Sequence, residues 1–448
     1  MTTDKEKESQ IDILTQLPNR TFGRQLVEDL LINDGVKNIH VIVLEISRFG
    51  QISDSIGNIL ADKVLSKIAK RLSTVFSNTL CINRTHGDHF CLAFSDDVNL
   101  SEEINRLQDF AQRPFAINGN VIVLSIRMGI ASAEVESQTF NDTMHAAEAA
   151  LHYANKNNFK VCFFESYMLE KAKKNHQIAN DLRYSLVTNS HELFNAINSD
   201  EFYLVYQPII SKKQNKVTGF EALLRWNHPV RGSITPNEFI HVAEEIGVMD
   251  LLGAWVMRKA CLDIVKWQKH SKLDDIVMSI NVSPMQFVNA DILLNSLETA
   301  IAESGVAPEL LRIEITESAE FINSMASTLQ KIKELGCTIA IDDFGTGYSS
   351  IVKLTTLPLN TLKIDRSFVF QLDSKDPKKS QQSLLIARGV YGLAHALELE
   401  VITEGVETAE QLEIVTNLGA DLIQGYYYAK PLPENEILNY LRQPINRD

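Results

Sequence analysis

Hydrophobic positions along this chain follow two regimes. Up to about residue 165, short β-branched runs at 40–44 (HVIVL) and 121–126 (VIVLSI) read as strands. Leu80-Cys-Ile and Cys91-Leu-Ala-Phe flank a Gly-Asp pair and read as a hairpin. Apolar residues at helical spacing over 59–76 and 141–156 predict helices between them. Residues 1–165 therefore predict an α+β domain with a mainly antiparallel sheet. A charged stretch with few breakers, LEKAKKNHQIANDLRYSL from Leu169, predicts a helical connector over 166–182. Beyond 183 the pattern repeats, with eight strand-like runs: FYLVY, VTGF, IVMSI, LRIEI, TIAI, LKI, VIT and DLI. Most are separated by helical segments, at 237–269, 290–304, 325–335, 381–398 and 409–418. Such alternation predicts an α/β architecture for 183–448, a (β/α)8-type barrel.

Composition narrows the function. Lys and Arg number 43 against 57 Asp and Glu, a net charge of −14 among 448 residues. That disfavours polymeric nucleic acid or an anionic membrane surface as partner, since both need a basic field. A small anionic ligand stays open, because a bound divalent cation reverses the local sign. The five cysteines are scattered and odd in number, against a disulfide framework. The charged N-terminus lacks the apolar core of a signal peptide, and no apolar run reaches the ~18 residues of a membrane span. The expectation is a cytoplasmic protein with no membrane insertion.

Barrel chemistry collects where strands end. Those positions read Gln207, Glu221, Asn281, Glu314, Asp342 with Asp343, Lys363, Glu404 with Glu407, and Gln424. Taken singly, each is an ordinary polar residue closing a strand. Taken together, the carboxylates repel unless a cation holds them. Oxygen donors without His or Cys select a hard ion, Mg²⁺ or Mn²⁺. The adjacent Asp342 and Asp343 point to two ions, a device for phosphodiester hydrolysis. Lys363 either holds a water or phosphate oxygen or serves as a neutralising ion pair.

FEALLRWNHP (220–229) resembles the signature of EAL-type cyclic di-GMP phosphodiesterases. YQPI (206–209), NVSPMQF (281–287), EITES (314–318), DDFGTGYSS (342–350), LKID (362–365), TEGVE (403–407) and QGYYYAKPLP (424–433) accompany it in family order. The resemblance implies a barrel that hydrolyses cyclic di-GMP to linear pGpG. It also implies that Glu221, Asn281, Glu314 and Asp342 bind one metal, and Asp342 with Asp343 a second. It makes Glu404 the general base beside Lys363, and Gln424 an orienting group. Gln207 and Arg225 become substrate contacts, Glu407 a support, and Glu317 the anchor of the DDFGTGYSS loop. One position departs: Thr403 stands where Ala is commoner. A homodimer formed through the barrel is a further implication. The alternative is a silent cyclic di-GMP receptor signalling through a partner, but no metal or base carboxylate is missing.

The first half is similar to a damaged GGDEF diguanylate cyclase domain. IDILTQLPNR (11–20) matches its opening and HAAEAALHYANK (145–156) its late helix. The signature Gly-Gly-Asp-Glu-Phe is replaced by His86-Gly87-Asp88-His89-Phe90. Glu45, Gly50 and Ser53 replace the expected metal Asp, phosphate-side Lys and guanine-binding Asn, leaving Asp62. The expectation is a domain that makes no cyclic di-GMP. A zinc site from Cys81, His86, His89 and Cys91 fits poorly, because the spacing straddles a hairpin.

Overall fold

The computed structural model describes residues 10–33, 36–117, 120–134, 139–187, 201–270, 275–316, 325–345, 351–372 and 377–445. It divides into two compact units, Met1–Lys174 and Asn175–Asp448. No helix among the described residues is long and apolar enough to cross a membrane.

The first unit runs α1 (Arg20–Asn33), β1 (Asn38–Ile46), α2 (Phe49–Ile56), α3 (Asn58–Val75), β2 (Cys81–His86), β3 (His89–Ser95) and α4 (Leu100–Gln112). It continues with β4 (Phe115–Ile117), β5 (Asn120–Ile122), β6 (Ile126–Glu134), α5 (Phe140–Lys156) and β7 (Val161–Phe163). The sheet order is β2-β3-β1-β6-β7, antiparallel except at β6–β7. Period-two alternation in β1 serves both faces. Ile42, Leu44 and Ile46 join the core that includes Val64, Ile68 and Leu72 of α3. Ile39, Val41 and Val43 join the core with Phe140, Met144 and Leu151 of α5. The run predicted as one strand at 121–126 is divided, its start pairing with β4 and its end opening β6. Apolar periodicity alone does not show that the chain changes sheets there.

α6 (Ser166–Val187) crosses the division between the units. Its later residues are no free-standing connector. Ile178, Ala179, Leu182 and Leu186 are buried with Phe202, Trp226 and Phe239.

The second unit continues β8 (Phe202–Ser211), β9 (Lys216–His228), β10 (Gly232–Ile234), α7 (Pro236–Glu245), α8 (Met249–His270), β11 (Val277–Val282), α9 (Ala290–Ser304) and β12 (Leu311–Thr316). Then come α10 (Met325–Glu334), β13 (Thr338–Phe344), α11 (Ile351–Thr356), β14 (Thr361–Ile364), α12 (Arg366–Leu372) and α13 (Pro377–Ala396). It ends with β15 (Glu400–Thr403), α14 (Ala409–Leu418), β16 (Leu422–Ile423), β17 (Leu432–Pro433) and α15 (Glu434–Leu441). Eight strands close on themselves in the order β9-β11-β12-β13-β14-β15-β16-β8. Seven run parallel, whereas β8 is antiparallel to both neighbours and turns directly into β9 without a helix. Two helices, α7 and α8, replace the single one expected over 237–269. Gly247 at φ 73° makes the left-handed turn between them.

Outward residues such as Phe220, Met278, Ile280, Ile313, Ile341 and Leu362 pack into the helix layer. Their alternate neighbours, including Glu221, Asn281, Glu314, Asp342 and Lys363, point into the barrel.

Gly129 of β6 tests the first unit's packing. A methyl group there would lie 2.1 Å from the Ala147 carbonyl oxygen and 2.2 Å from the Leu151 nitrogen. Gly129→Ala is expected to cost about 1–3 kcal/mol, read as a lowered urea midpoint. An unchanged midpoint would refute the close approach of α5 to β6.

Candidate active site

Strand register assembles the site. Gln207 on β8 faces Glu221 on β9, Asn281 pairs with Glu314, and Thr316 pairs with Asp342. Gln207 and Glu221 sit in mid-strand rather than at strand ends, because β8 and β9 extend past the barrel mouth.

Lys363 is the hub. Its ammonium is fully buried, 2.6 Å from Glu314 and 2.6 Å from Glu404, 3.1 Å from Asp342 and 3.5 Å from Glu221. Burial opposes its charge, but Asp342, Glu221, Glu314 and Glu404 overcome that and hold it protonated. One cation does not neutralise four acids. Glu221 still stays ionised against its burial, helped by Lys363 and by amide donors from Gln424 (2.6 Å) and Asn281 (2.6 Å). Burial pushes Glu314 up to about 8, with Glu221 and Asp342 adding to the effect against Lys363. Burial likewise raises Glu404 well above the carboxylate range. Burial, then Asp342 and Asp365, pushes Asp343 up to about 6.

A line of amides backs the acids. Gln424 also donates to Gln207 (3.1 Å), whose own amide donates to the Ala429 carbonyl at 3.4 Å. Asp343 adopts φ 54°, unusual for a non-glycine residue, with its amide donating to Asp342 at 2.9 Å. Gly405, at φ 68°, lies so close to Arg366 that a Cβ would meet that residue's Cβ at 2.2 Å. The Gly after Glu404 therefore has a steric reason.

Can these residues hold metal? Ligand oxygens of Glu221, Glu314 and Asp342 lie within 4.8 Å of one another, as do those of Asp342, Asp343 and Glu404. Asp342 belongs to both groups. Glu314 Oε1 is buried with no hydrogen-bond donor among the described residues. An all-oxygen donor set with an unsatisfied buried carboxylate oxygen suits a hard cation.

Beside these acids lies a cavity of about 620 Å³. Arg225, Asn281, Asp342 and Asp343 line it, with Leu223 and Pro236 among its apolar walls. Arg225 is held by its own donation to the Leu224 carbonyl at 2.8 Å. Glu407 is not drawn in. Its side chain is exposed and its amide donates to Gln411 at 2.8 Å. Glu317 and positions 346–350 of the loop fall outside the described residues. Sequence reasoning missed Asn237, Glu244 and Ser283 on the cavity wall, where Ser283 donates to Glu244 at 2.6 Å. The Thr235–Glu238 capping box was the readable signal that a helix begins beside Asn237.

In the first unit, β2 and β3 join at Gly87-Asp88. The His86 and His89 rings stack there with centroids 4.3 Å apart. His89 nitrogens lie 3.2 Å from Asp88 and 3.5 Å from Glu45. Burial opposes its charge, but the Asp88 and Glu45 carboxylates outweigh that and push it up to about 9. Burial, then the His89 charge, moves His86 down. Cys81 and Cys91 lie in an apolar core, where burial pushes the Cys81 thiol up to about 11. That environment disfavours a thiolate zinc ligand.

A closed barrel with this acid and lysine set, following an α+β unit along the chain, defines a class. The chain matches the EAL domain over residues 190–431 and the diguanylate cyclase GGDEF domain over residues 9–160. It belongs to the EAL domain family, with a GGDEF domain preceding the barrel. It is 31% identical over 442 residues to the cyclic di-GMP phosphodiesterase NbdA of Pseudomonas aeruginosa, covering 96% of this chain and 54% of that one. It is 32% identical over 440 residues to the bifunctional diguanylate cyclase/cyclic di-GMP phosphodiesterase MucR of the same organism, covering 95% and 61%. The solved MucR phosphodiesterase–c-di-GMP complex superposes with TM-score 0.52 at 33% identity, over 58% of this chain and 99% of that one. The chain spans only 54% and 61% of the length of these two curated relatives.

The raised carboxyls give a linkage prediction. A cation needs them ionised, so uptake of Mg²⁺ or Mn²⁺ at pH 7 should release protons, with affinity rising toward pH 8. Calorimetry in buffers of different ionisation enthalpy measures the release. Metal binding without it would overturn the charge assignment.

Proposed function

We propose that the chain is a metal-dependent phosphodiesterase that hydrolyses cyclic di-GMP to linear pGpG. The working division is 1–165, 166–182 and 183–448. The observation that carries the reading is Asp342, shared by two oxygen groups beside a cavity lined by Arg225. Glu221, Asn281, Glu314 and Asp342 would hold one Mg²⁺ or Mn²⁺, and Asp342 with Asp343 a second. Such ions supply charge neutralisation and a more acidic water.

The chain's residues supply the rest. Glu404 takes a proton from the attacking water, its other role being the 2.6 Å bond to Lys363. Lys363 keeps that carboxylate aimed and lowers the field of its neighbours. Arg225 suits a phosphate by its planar fork. Water oxygen bonds to phosphorus, the bond to the 3′ oxygen breaks, and that oxygen gains a proton, giving a 5′-phosphate. A barrel homodimer and a cytoplasmic setting belong to the same reading.

The first unit, on this proposal, regulates the barrel and makes no cyclic di-GMP. His89 supports it, because its imidazolium stands against Glu45 where a catalytic unit would need two acids facing a metal.

Glu221→Ala should lower turnover on the order of 100-fold or more in a folded protein. Glu404→Gln should cut it by roughly 100- to 10,000-fold while cyclic di-GMP still binds with metal present. Product separation and calorimetry read the two effects. Binding by the native chain with no turnover under Mg²⁺ or Mn²⁺ would replace the enzyme by a receptor.

The second test concerns the hairpin. His89 has a folded value of about 9 against an ordinary 6.5, so its stabilising contribution is complete below about 6.5 and vanishes as pH rises through 9. His89→Gln should lower the urea midpoint at pH 6.5 and leave it unchanged at pH 9.5. Equal effects at both would refute the ion pair, and cyclic di-GMP made from GTP would refute the silent unit.

A further inference from the structure

Thr403 ends β15, one residue before Glu404. Register alternation turns Ile402 into the barrel, where it packs with Ile209 and Leu422, and turns Thr403 outward to the helix layer. There its hydroxyl meets the Tyr391 phenol of α13 at 2.6 Å. Both residues are buried, Thr403 completely and Tyr391 with 2% exposure. Tyr391 belongs to the barrel's apolar core and Thr403 is fully buried beside it, so losing one hydroxyl strands the other.

The backbone of the same residue carries two site groups. The Thr403 carbonyl accepts from the main-chain N–H of Gln424 at 2.9 Å, and the main-chain N–H of Glu404 donates to the Ile364 carbonyl at 3.0 Å. Gln424 then reaches Glu221 at 2.6 Å and Glu404 reaches Lys363 at 2.6 Å. Ile364 adjoins Lys363 and pairs with Thr403. One strand end therefore positions two side chains of the cluster, Glu404 on Lys363 directly and Gln424 on its neighbour Glu221. These short strands, Glu400–Thr403 and Leu422–Ile423, have little ladder of their own to fix that end.

We infer that Tyr391 and Thr403 form a positioning pair, in which the buried hydroxyl–hydroxyl bond clamps the end of β15 to α13 and so sets the aim of Glu404 and Gln424. Neither side chain lines the cavity beside the acids. A shift of the strand end by a few tenths of an ångström moves both site groups together, and catalysis is sensitive to such misplacement. The inference rests on the phosphodiesterase reading for its kinetic consequence, and on geometry alone for the clamp.

The test uses the full chain with cyclic di-GMP and Mn²⁺. Thr403→Val and Tyr391→Phe should each lower kcat about 5-fold per folded molecule, with KM changed less than about 2-fold. Thr403→Ser keeps the hydroxyl and should retain most of the turnover. In parallel, Thr403→Val should speed amide hydrogen exchange at Glu404 and Gln424 about 10-fold, leaving Asn281 and Glu314 unchanged. A native kcat in folded Thr403→Val would overturn the inference. So would unaltered exchange at Glu404 and Gln424, or a Thr403→Ser protein as impaired as Thr403→Val. If the native chain turned over no cyclic di-GMP, the proposed activity would fail, while the exchange comparison would still decide the clamp.

Discussion

A single buried ammonium organises the barrel. Lys363 is fully buried, and Glu221, Glu314, Asp342 and Glu404 all reach it within 3.5 Å. Each comes from a different strand or strand end, so the cluster exists only when the ring is closed. Gathering ions out of water is costly, and their mutual attraction repays it only with good geometry and full hydrogen bonding. The barrel meets that condition incompletely. Asn281 and Gln424 satisfy Glu221, whereas one Glu314 oxygen is left without a donor among the described residues. That shortfall is the physical opening for a cation. A site with four acids and one base is strained toward accepting positive charge, and the surrounding apolar layer fixes where it must go.

The two units resolve crowded carboxylates in opposite ways. In the first, His89 brings a cation of the protein's own to Glu45 and Asp88, and Asn155 adds an amide to Glu45. There one imidazolium offsets part of the charge of two carboxylates. In the second, four acids face one lysine, and burial raises Glu314 and Glu404, so the crowding is relieved by held protons.

The acid set, the lysine and the amides were legible because a barrel brings alternating strand residues to one interior whatever its loops do. The antiparallel β8 was less legible. FYLVY and VTGF look like other strand runs, and only the short connection over 212–215 hints that no helix intervenes. Glu407 shows the converse. It shares a motif with Glu404, yet the turn at Gly405 sends it to the surface. Asn237, Glu244 and Ser283 escaped notice because their roles come from α7 and the β11 end meeting across a cavity.

Residue identity and local periodicity by themselves determined the two architectures, the elements within them and the inventory of charged groups. Each depends on interactions within a few residues along the chain, or on a repeat that any sheet must respect. Tertiary structure alone decided which carboxylates share Lys363 and which one of them both oxygen groups use. It alone also decided that the Thr403 hydroxyl meets Tyr391 rather than water. Those outcomes depend on register and on distances between strands far apart in sequence, where a shift of one residue turns every side chain to the other face.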